Sequence, residues 1–311
     1  MSVDDLLERV EAGHLLAGPA PVLAMLSGGR DSVCMLDLAL RARGPEAVSA
    51  LHLNYGLRAE SGEDERHCVD LCRRLGIGIA VERPRRPAGA GNLQAWAREE
   101  RYAAAARLAD GSDATIVTGH TPDDQVETIL YRLASSPGRR ALLGMRPRDG
   151  RLARPLLGTT RAEVTAYCEA RGLSWRDDPS NEDAAFKRNL VRRELVPALE
   201  EVHPAARANV LRTAALLRSE AELLDSLVDA ELQGSGGAPV SIAHRRFAGL
   251  HPALRRLVLQ RLADEAAGRP VAGAARFADQ VAGLTRGGST LDLGGGVRAV
   301  LEGGVLRAER R

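Results

Sequence analysis

The run Ser27-Gly28-Gly29-Arg30-Asp31-Ser32 sets two hydroxyls, two glycines and a carboxylate between an apolar stretch, Val22–Leu26, and the apolar-periodic stretch that starts at Val33. A strand entering such a turn and a helix leaving it would present backbone N–H groups at a helix N-terminus, where partial positive charge favours an anion. Paired glycines let the backbone take positive φ and approach a phosphate with no Cβ in the way. Ser27 and Ser32 can donate to phosphate oxygens, and Asp31 adds an oxygen ligand for Mg²⁺. An ordinary strand-to-helix turn could carry two glycines, but would not need both serines and the aspartate. No Gly-Lys-Ser/Thr follows and Gly-x-Gly-x-x-Gly is absent, so neither the Walker-type loop nor the dinucleotide fingerprint applies.

A second constellation is Gly119-His120-Thr121-Pro122-Asp123-Asp124-Gln125-Val126-Glu127-Thr128. Thr121 can cap a helix whose first residue is Pro122, a position that tolerates proline. Asp124 and Glu127 then stand at i and i+3, which gives both carboxylates one face. Such a pair could hold a cationic substrate such as an amine. It could also do no more than complement the helix dipole. His120, if protonated, could donate to a phosphate.

Both constellations need a frame that brings them together. Val22–Leu26, Val48–Leu53, Ile77–Val81 and Thr115–Thr118 read as buried strands, and Ser32–Arg43, Glu60–Leu75 and Asn92–Asp110 as helices between them. That alternation predicts an α/β fold, a doubly wound parallel sheet of Rossmann-like type, with ligands beyond the carboxyl ends of the strands. The loops after Leu26, Leu53 and Thr118 should therefore share one pocket. Thr160-x-x-Glu163 predicts a capping box for a helix reaching about Ala170. Helices are expected at Ala184–Leu199, Pro204–Leu232, His251–Ala267 and Ala274–Leu284, with Gly234–Gly237 as a linker. Short strands are expected at Thr290–Leu293, Gly296–Leu301 and Val305–Ala308. A domain of residues 1–215 and a smaller C-terminal α+β domain of residues 216–311 follow.

The chain has 311 residues, 44% hydrophobic and 27% charged, with a net charge of +2. No apolar run nears the roughly 20 residues of a membrane span. Asp4, Asp5 and Glu8 break the order of a secretory leader, so a cytoplasmic location is expected. Cys34, Cys68, Cys72 and Cys168 include no Cys-x-x-Cys and read as structural thiols. Lys187 is the only lysine among 43 basic residues. Arginine is suited to bidentate phosphate contact, and it clusters at Arg139/Arg140/Arg146/Arg148/Arg151/Arg154, at Lys187/Arg188/Arg192/Arg193 and at Arg255/Arg256/Arg261. Each cluster could touch RNA or be a solvated face.

Ser-Gly-Gly-x-Asp-Ser resembles the PP-loop of the N-type ATP pyrophosphatases, which implies adenylation with release of pyrophosphate. Further segments extend the likeness: His52-Leu-Asn54-Tyr55-Gly56-Leu57-Arg58, Asn92 to Tyr102, Arg154-Pro155-Leu156-Leu157, Trp175-Arg-Asp177-Asp178-Pro179-Ser180-Asn181 and Arg188-Asn189-x-x-Arg192. In this order, over roughly residues 20 to 200, they resemble the tRNA(Ile)-lysidine synthetase family.

The resemblance implies ATP-dependent ligation of L-lysine onto C2 of the wobble cytidine of a CAU-anticodon tRNA(Ile), through an adenylated cytidine, with AMP and pyrophosphate as products. It implies ATP at Ser27, Gly28, Gly29, Arg30, Asp31 and Ser32, with Asp31 on Mg²⁺. It places His120 and Arg98 on phosphate, lysine on Asp124 and Glu127, and Arg188 and Arg192 near nucleotide or RNA. Asp31, His120, Arg98 and Arg192 are the expected catalytic set. The C-terminal domain would dock tRNA by arginine and shape, having few aromatics to stack bases. The oligomeric state is left open, a homodimer included.

Tyr55 departs from the family pattern, which usually has a second histidine there. A PP-loop tRNA thiolase, or another adenylating tRNA-modifying enzyme, is the alternative. The thiolase would usually need paired cysteines or an iron–sulfur cluster.

Overall fold

Every residue of β1 (Val22–Met25) is apolar because both faces of this strand are covered. Val22 and Ala24, with Leu26, pack into a core containing Val33, Leu36, Cys68, Leu71, Val164 and Cys168. Leu23 and Met25 point the other way, against Ala104, Ala105 and Ala109. The strand period of two thus feeds two helical layers.

In this computed structural model, residues 3–57, 59–87, 89, 91–135, 138–176, 187–232, 240–285 and 287–311 are described. The chain divides into two compact units, Met1–Ala215 and Leu216–Arg311. The first unit contains α1 (Val3–Ala12), β1, α2 (Arg30–Arg43), β2 (Val48–Leu53), α3 (Ser61–Leu75), β3 (Gly78–Glu82), α4 (Leu93–Asp110) and β4 (Thr115–Val117). It continues with α5 (Pro122–Ser135), α6 (Arg139–Leu142), β5 (Arg148–Asp149), β6 (Leu152–Ala153), α7 (Arg161–Ala170), α8 (Lys187–Leu190), a π-helical turn (Val191–Leu195) and α9 (Val196–Val202). The helix α10 (Ala206–Glu231) contains the unit boundary.

The first sheet has the order β3-β2-β1-β4-β6-β5. All its pairs are parallel except the β5–β6 edge, as the doubly wound expectation requires. Strand order reverses between β1 and β4, which opens a crevice at their carboxyl ends. Residues 27–32 and 119–127 leave the sheet there.

Local signals explain most boundaries. Asn92 caps α4, its side chain accepting from the Gln94 and Ala95 N–H groups. Thr160 and Glu163 form the expected capping box of α7. Thr121 differs from expectation: its N–H and hydroxyl both donate to Asp124 Oδ2, at 2.8 and 3.1 Å. The aspartate three residues on is the acceptor at this helix start.

The helix expected over Ala184–Leu199 is interrupted by the π turn, and its first three residues lie outside the described ones. So do the Gly234–Gly237 linker, Arg58 and the segment Asp177–Asn181. The β5–β6 hairpin has no sequence signal, because two-residue strands leave no periodic trace.

The second unit carries an antiparallel sheet of order β7 (Ser241–Ala243), β10 (Val305–Arg310), β9 (Val297–Glu302) and β8 (Ser289–Gly294). Beside it lie α11 (His244–Gly249), α12 (Pro252–Ala267) and α13 (Ala278–Ala282). Val258, Leu259 and Leu262 of α12 share a core with Phe247, Val297, Ala299 and Leu306. Among the described residues, no helix is long and apolar enough to cross a membrane.

Candidate active site

Gly28 has φ +88°, and a Cβ there would lie 3.2 Å from Cys68 Sγ. Gly29 is extended and precedes α2, leaving the N–H groups of its first turn toward the crevice. The turn is closed on itself by hydrogen bonds between its own residues. Ser27 Oγ donates to Ser32 Oγ at 3.0 Å, Ser32 Oγ donates to the Gly29 carbonyl at 2.8 Å, and the Ser27 N–H donates to Ser32 Oγ at 3.2 Å. The Arg176 N–H pins the turn from outside through the Gly28 carbonyl, at 3.0 Å.

Gly119 lets the end of β4 lie against this turn. A Cβ on it would stand 2.7 Å from the Asp31 carbonyl oxygen and 3.0 Å from the Ser32 nitrogen. Only glycine allows that approach. The two constellations are thereby joined at their backbones.

Their side chains face one cavity of about 800 Å³, lined by residues that include Ser27, Gly29, Arg30, Asp31, Ser32, His120, Asp124, Glu127, Arg188 and Arg192. Gly28 and Arg98 are not among the lining residues. Arg98 lies on the exposed side of α4 with its guanidinium 4.8 Å from the Tyr102 ring centroid, while Arg101 lines the cavity. Burial raises the Asp31 carboxyl; Arg30 opposes this, and the nearby Asp124 charge adds to it. A carboxylate buried near a second carboxylate is a place where a cation is favoured. Mg²⁺ ordinarily takes only one or two protein carboxylates, the rest of its shell being water and phosphate. Asp31 fits that donor role.

His120 is neutral near pH 7. Burial drives its pKa down to about 4; Asp124 pulls upward, and Arg154, Arg188 and Arg101 add to the lowering. The condition under which it would meet phosphate as a cation is not met, so any donation comes from a neutral N–H. Its Nδ1 shares a 2.8 Å hydrogen bond with the Thr118 hydroxyl.

The acidic pair holds the largest departure from the sequence reading. Two faces of α5 do different things: Val126 and Leu130 pack against Val191 and Val196, while Asp124 and Glu127 meet arginines. Arg188 Nε donates to Glu127 Oε2 and its NH2 to Asp124 Oδ1, both at 2.8 Å. Arg192 donates to Glu127 from Nε at 2.5 Å and from NH2 at 3.3 Å. Burial pulls the Arg192 guanidinium down, but the Glu127 hydrogen bond and the Asp124 and Asp123 charges outweigh it, and the net shift is upward. Glu127 is 1% exposed.

Several contributors had no sequence signal. Arg161 opens α7 at the cavity wall and pulls the Asp31 carboxyl downward. Arg207 joins Asp123 (2.9 Å) to Glu200 (2.6 Å). Gln125 holds Met145 through both its N–H and its carbonyl. These contacts arise between distant segments, which no local spacing reveals.

Tyr55 donates its hydroxyl to the Ala97 carbonyl at 2.7 Å and stands edge-on to Trp96. It therefore fastens the loop after β2 to α4, a packing role that needs no imidazole. His52 Nδ1–H donates to the Leu26 carbonyl at 2.9 Å. All four cysteines are buried and free. In the second unit Arg255 pairs with Asp279 and Arg261 with Asp229, at 2.8 and 2.6 Å, while Arg256 is exposed.

The PP-loop domain family model matches residues 6–199. A tRNA(Ile)-lysidine synthase of Pseudomonas aeruginosa is 43% identical over 215 residues, 67% of this chain and 48% of the relative. One of Thermus thermophilus is 39% identical over 298 residues, 94% of this chain and 57% of the relative. The chain spans about half the length of these relatives. Among solved structures, the U34-tRNA thiolase NcsA of Methanococcus maripaludis, with its 4Fe–4S cluster, superposes with a TM-score of 0.57 at 18% identity, covering 70% of this chain and 78% of that one. That likeness concerns the fold.

Proposed function

The chain belongs to the PP-loop domain family, and on that premise we propose that it ligates L-lysine onto C2 of the wobble cytidine of a CAU-anticodon tRNA(Ile), at the expense of ATP. The observation that carries this reading is the shared cavity: a phosphate turn and a buried carboxylate pair open into one space. Residues 20–200 carry the motifs, and the likeness to the lysidine synthases above supports this chemistry.

The steps balance without an outside oxidant or reductant. The cytidine O2 attacks the α-phosphorus of ATP, the bond to the bridging oxygen breaks, and pyrophosphate leaves. A neutral lysine amine then attacks C2, the C–O bond breaks, AMP departs, and the amine nitrogen gives up one proton to the departing phosphate or to water. Ser27, Ser32, the N–H groups that open α2, Arg30 and Arg161 receive the phosphates. Asp31 would hold Mg²⁺, which supplies charge neutralisation on the departing pyrophosphate. Asp124 and Glu127 bind lysine through an ammonium group, and His120, held neutral by burial, can donate an N–H. Arg98 reaches phosphate only if its stack on Tyr102 is given up, so Arg101 is the better-placed guanidinium. The second unit, with exposed Arg256, docks the tRNA, and the reaction belongs to the cytoplasm.

A sulfur-transfer reading would need reachable cysteines, and all four are core residues. The direct test is incubation with ATP, Mg²⁺, labelled lysine and an unmodified CAU-anticodon isoleucine transcript. Label entering the RNA, with AMP formed in equal amount, supports the proposal. AMP formation with no label in the RNA refutes it.

A further inference from the structure

Asp124 and Glu127 bring two negative charges to the amine site, and Arg188 and Arg192 already match them with two positive ones. A lysine ammonium added to that set would leave an unmatched cation beside a nearly buried carboxylate, which is costly. Removing one guanidinium as the ammonium arrives keeps the balance. We propose that Arg188 is a resident counter-ion of the amine site, that the incoming ammonium replaces it, and that the freed guanidinium then serves anionic phosphate in the same cavity. The inference rests on the lysine-binding reading given above and deepens it.

Geometry selects Arg188 over Arg192. Arg188 spans the gap between the two carboxylates, with 2.8 Å contacts to each, which is the place a bridging ammonium would take. Among the described residues, Arg192 donates to Glu127 and not to Asp124, and can stay, so this carboxylate, 1% exposed, never loses its last partner. The Arg188 side chain is 37% exposed and lines the cavity that also holds Ser27, Asp31 and Ser32. It sits on α8, four residues long, directly before the π turn Val191–Leu195. Such turns interrupt regular helix bonding and are frequent at functional sites.

Linkage then fixes a sign. An anion that binds the freed guanidinium favours the state lysine needs, and lysine favours the state the anion needs by the same factor. Lysine and ATP should therefore bind with positive coupling, although their charged groups sit on different elements.

The test is lysine binding by calorimetry on the full chain, with and without a non-hydrolysable ATP analogue and Mg²⁺. In the unsubstituted protein the analogue should tighten lysine about fivefold or more, the lower end of usual couplings. Arg188→Gln should bind lysine about tenfold tighter without nucleotide, and the analogue should then add less than twofold. Arg188→Lys, which keeps a charge but loses the two-pronged span, should fall between. It carries the test if the glutamine variant melts at a lower temperature than the parent. Unchanged or weaker lysine binding in both variants, with the parent binding lysine normally, overturns the counter-ion proposal alone. No lysine binding by the parent, even with the analogue, overturns the lysine reading and this inference with it.

Discussion

The Ser27–Ser32 turn and the Asp124–Glu127 cluster lie on one cavity but are built in opposite ways. The turn is made of backbone: positive φ at Gly28, the opening N–H groups of α2, and a close approach at Gly119. The cluster is made of long side chains, two carboxylates and two guanidinium groups from segments about 60 residues apart. In the proposed reading, the backbone site needs no ion pair broken, and phosphate binding would exchange only the hydroxyl contacts of Ser27 and Ser32. A side-chain site of this charge density satisfies itself and must be reopened. The difference teaches that the anion side should be sensitive to shape and the cation side to charge balance.

The largest effect should come from charge removal at the turn itself. Asp31→Ala should lower pyrophosphate release about a thousandfold or more, since stabilising groups at a departing charge have effects of that order. The fold should survive, because among the described residues the one side-chain hydrogen bond of Asp31 is that from Arg30, at 3.3 Å. Ordinary turnover by this variant would show that Asp31 holds no metal.

Shape sensitivity is tested at Gly119. Alanine there must push against the Asp31 carbonyl, 2.7 Å away, and crowding of that kind costs about 1–3 kcal/mol. Displacing the start of α2 should also slow pyrophosphate release about a hundredfold, as misplacement by an ångström can. A melting temperature and rate equal to the parent's would mean that the backbone approach does not matter.

On the cation side, Asp124→Asn keeps an acceptor for Thr121 and removes one charge. It should raise the lysine concentration needed for half-maximal rate about tenfold, consistent with one charge-assisted hydrogen bond. The requirement for ATP should move less than twofold. Equal shifts for both substrates would erase the division between the two regions.

The two regions also differ in how far they could be read from sequence. The turn was legible because its chemistry is local: glycines, serines and an aspartate at fixed spacing between a strand and a helix. The same holds for the Thr160–Glu163 capping box and for the four parallel strands, whose order then forces both constellations to one end of the sheet. Asp124 and Glu127 were legible as a pair, but their partners were not. Arg188 and Arg192 were placed near nucleotide or RNA, because nothing in the spacing says that residue 188 returns to residue 124. Arg161, Arg207 and Gln125 escaped for the same reason, being brought in by tertiary packing. Thr121 escaped through chemistry, since the capping rule did not say which of two oxygens would be the acceptor.

The last effect concerns stability alone, at the histidine between the regions, and its sign follows from linkage. His120 titrates near 4 in the fold against about 6.5 in an unfolded chain. Between these values the unfolded chain binds the extra proton and the folded one does not, so stability is lost as pH falls from about 6.5 toward 4. Full burial would make this larger, but the ring is partly open to the cavity; about 2 kcal/mol is a discounted figure for the window. His120→Asn keeps a partner for Thr118 and has no proton to take up. Urea unfolding at pH 7 and pH 4.5 should show the parent losing more stability than the variant by that margin. Carboxylates titrate in both proteins and cancel in the difference. If the two curves stayed parallel, burial and the arginines around His120 would not be holding it neutral, and the electrostatic boundary between anion side and cation side would lie elsewhere.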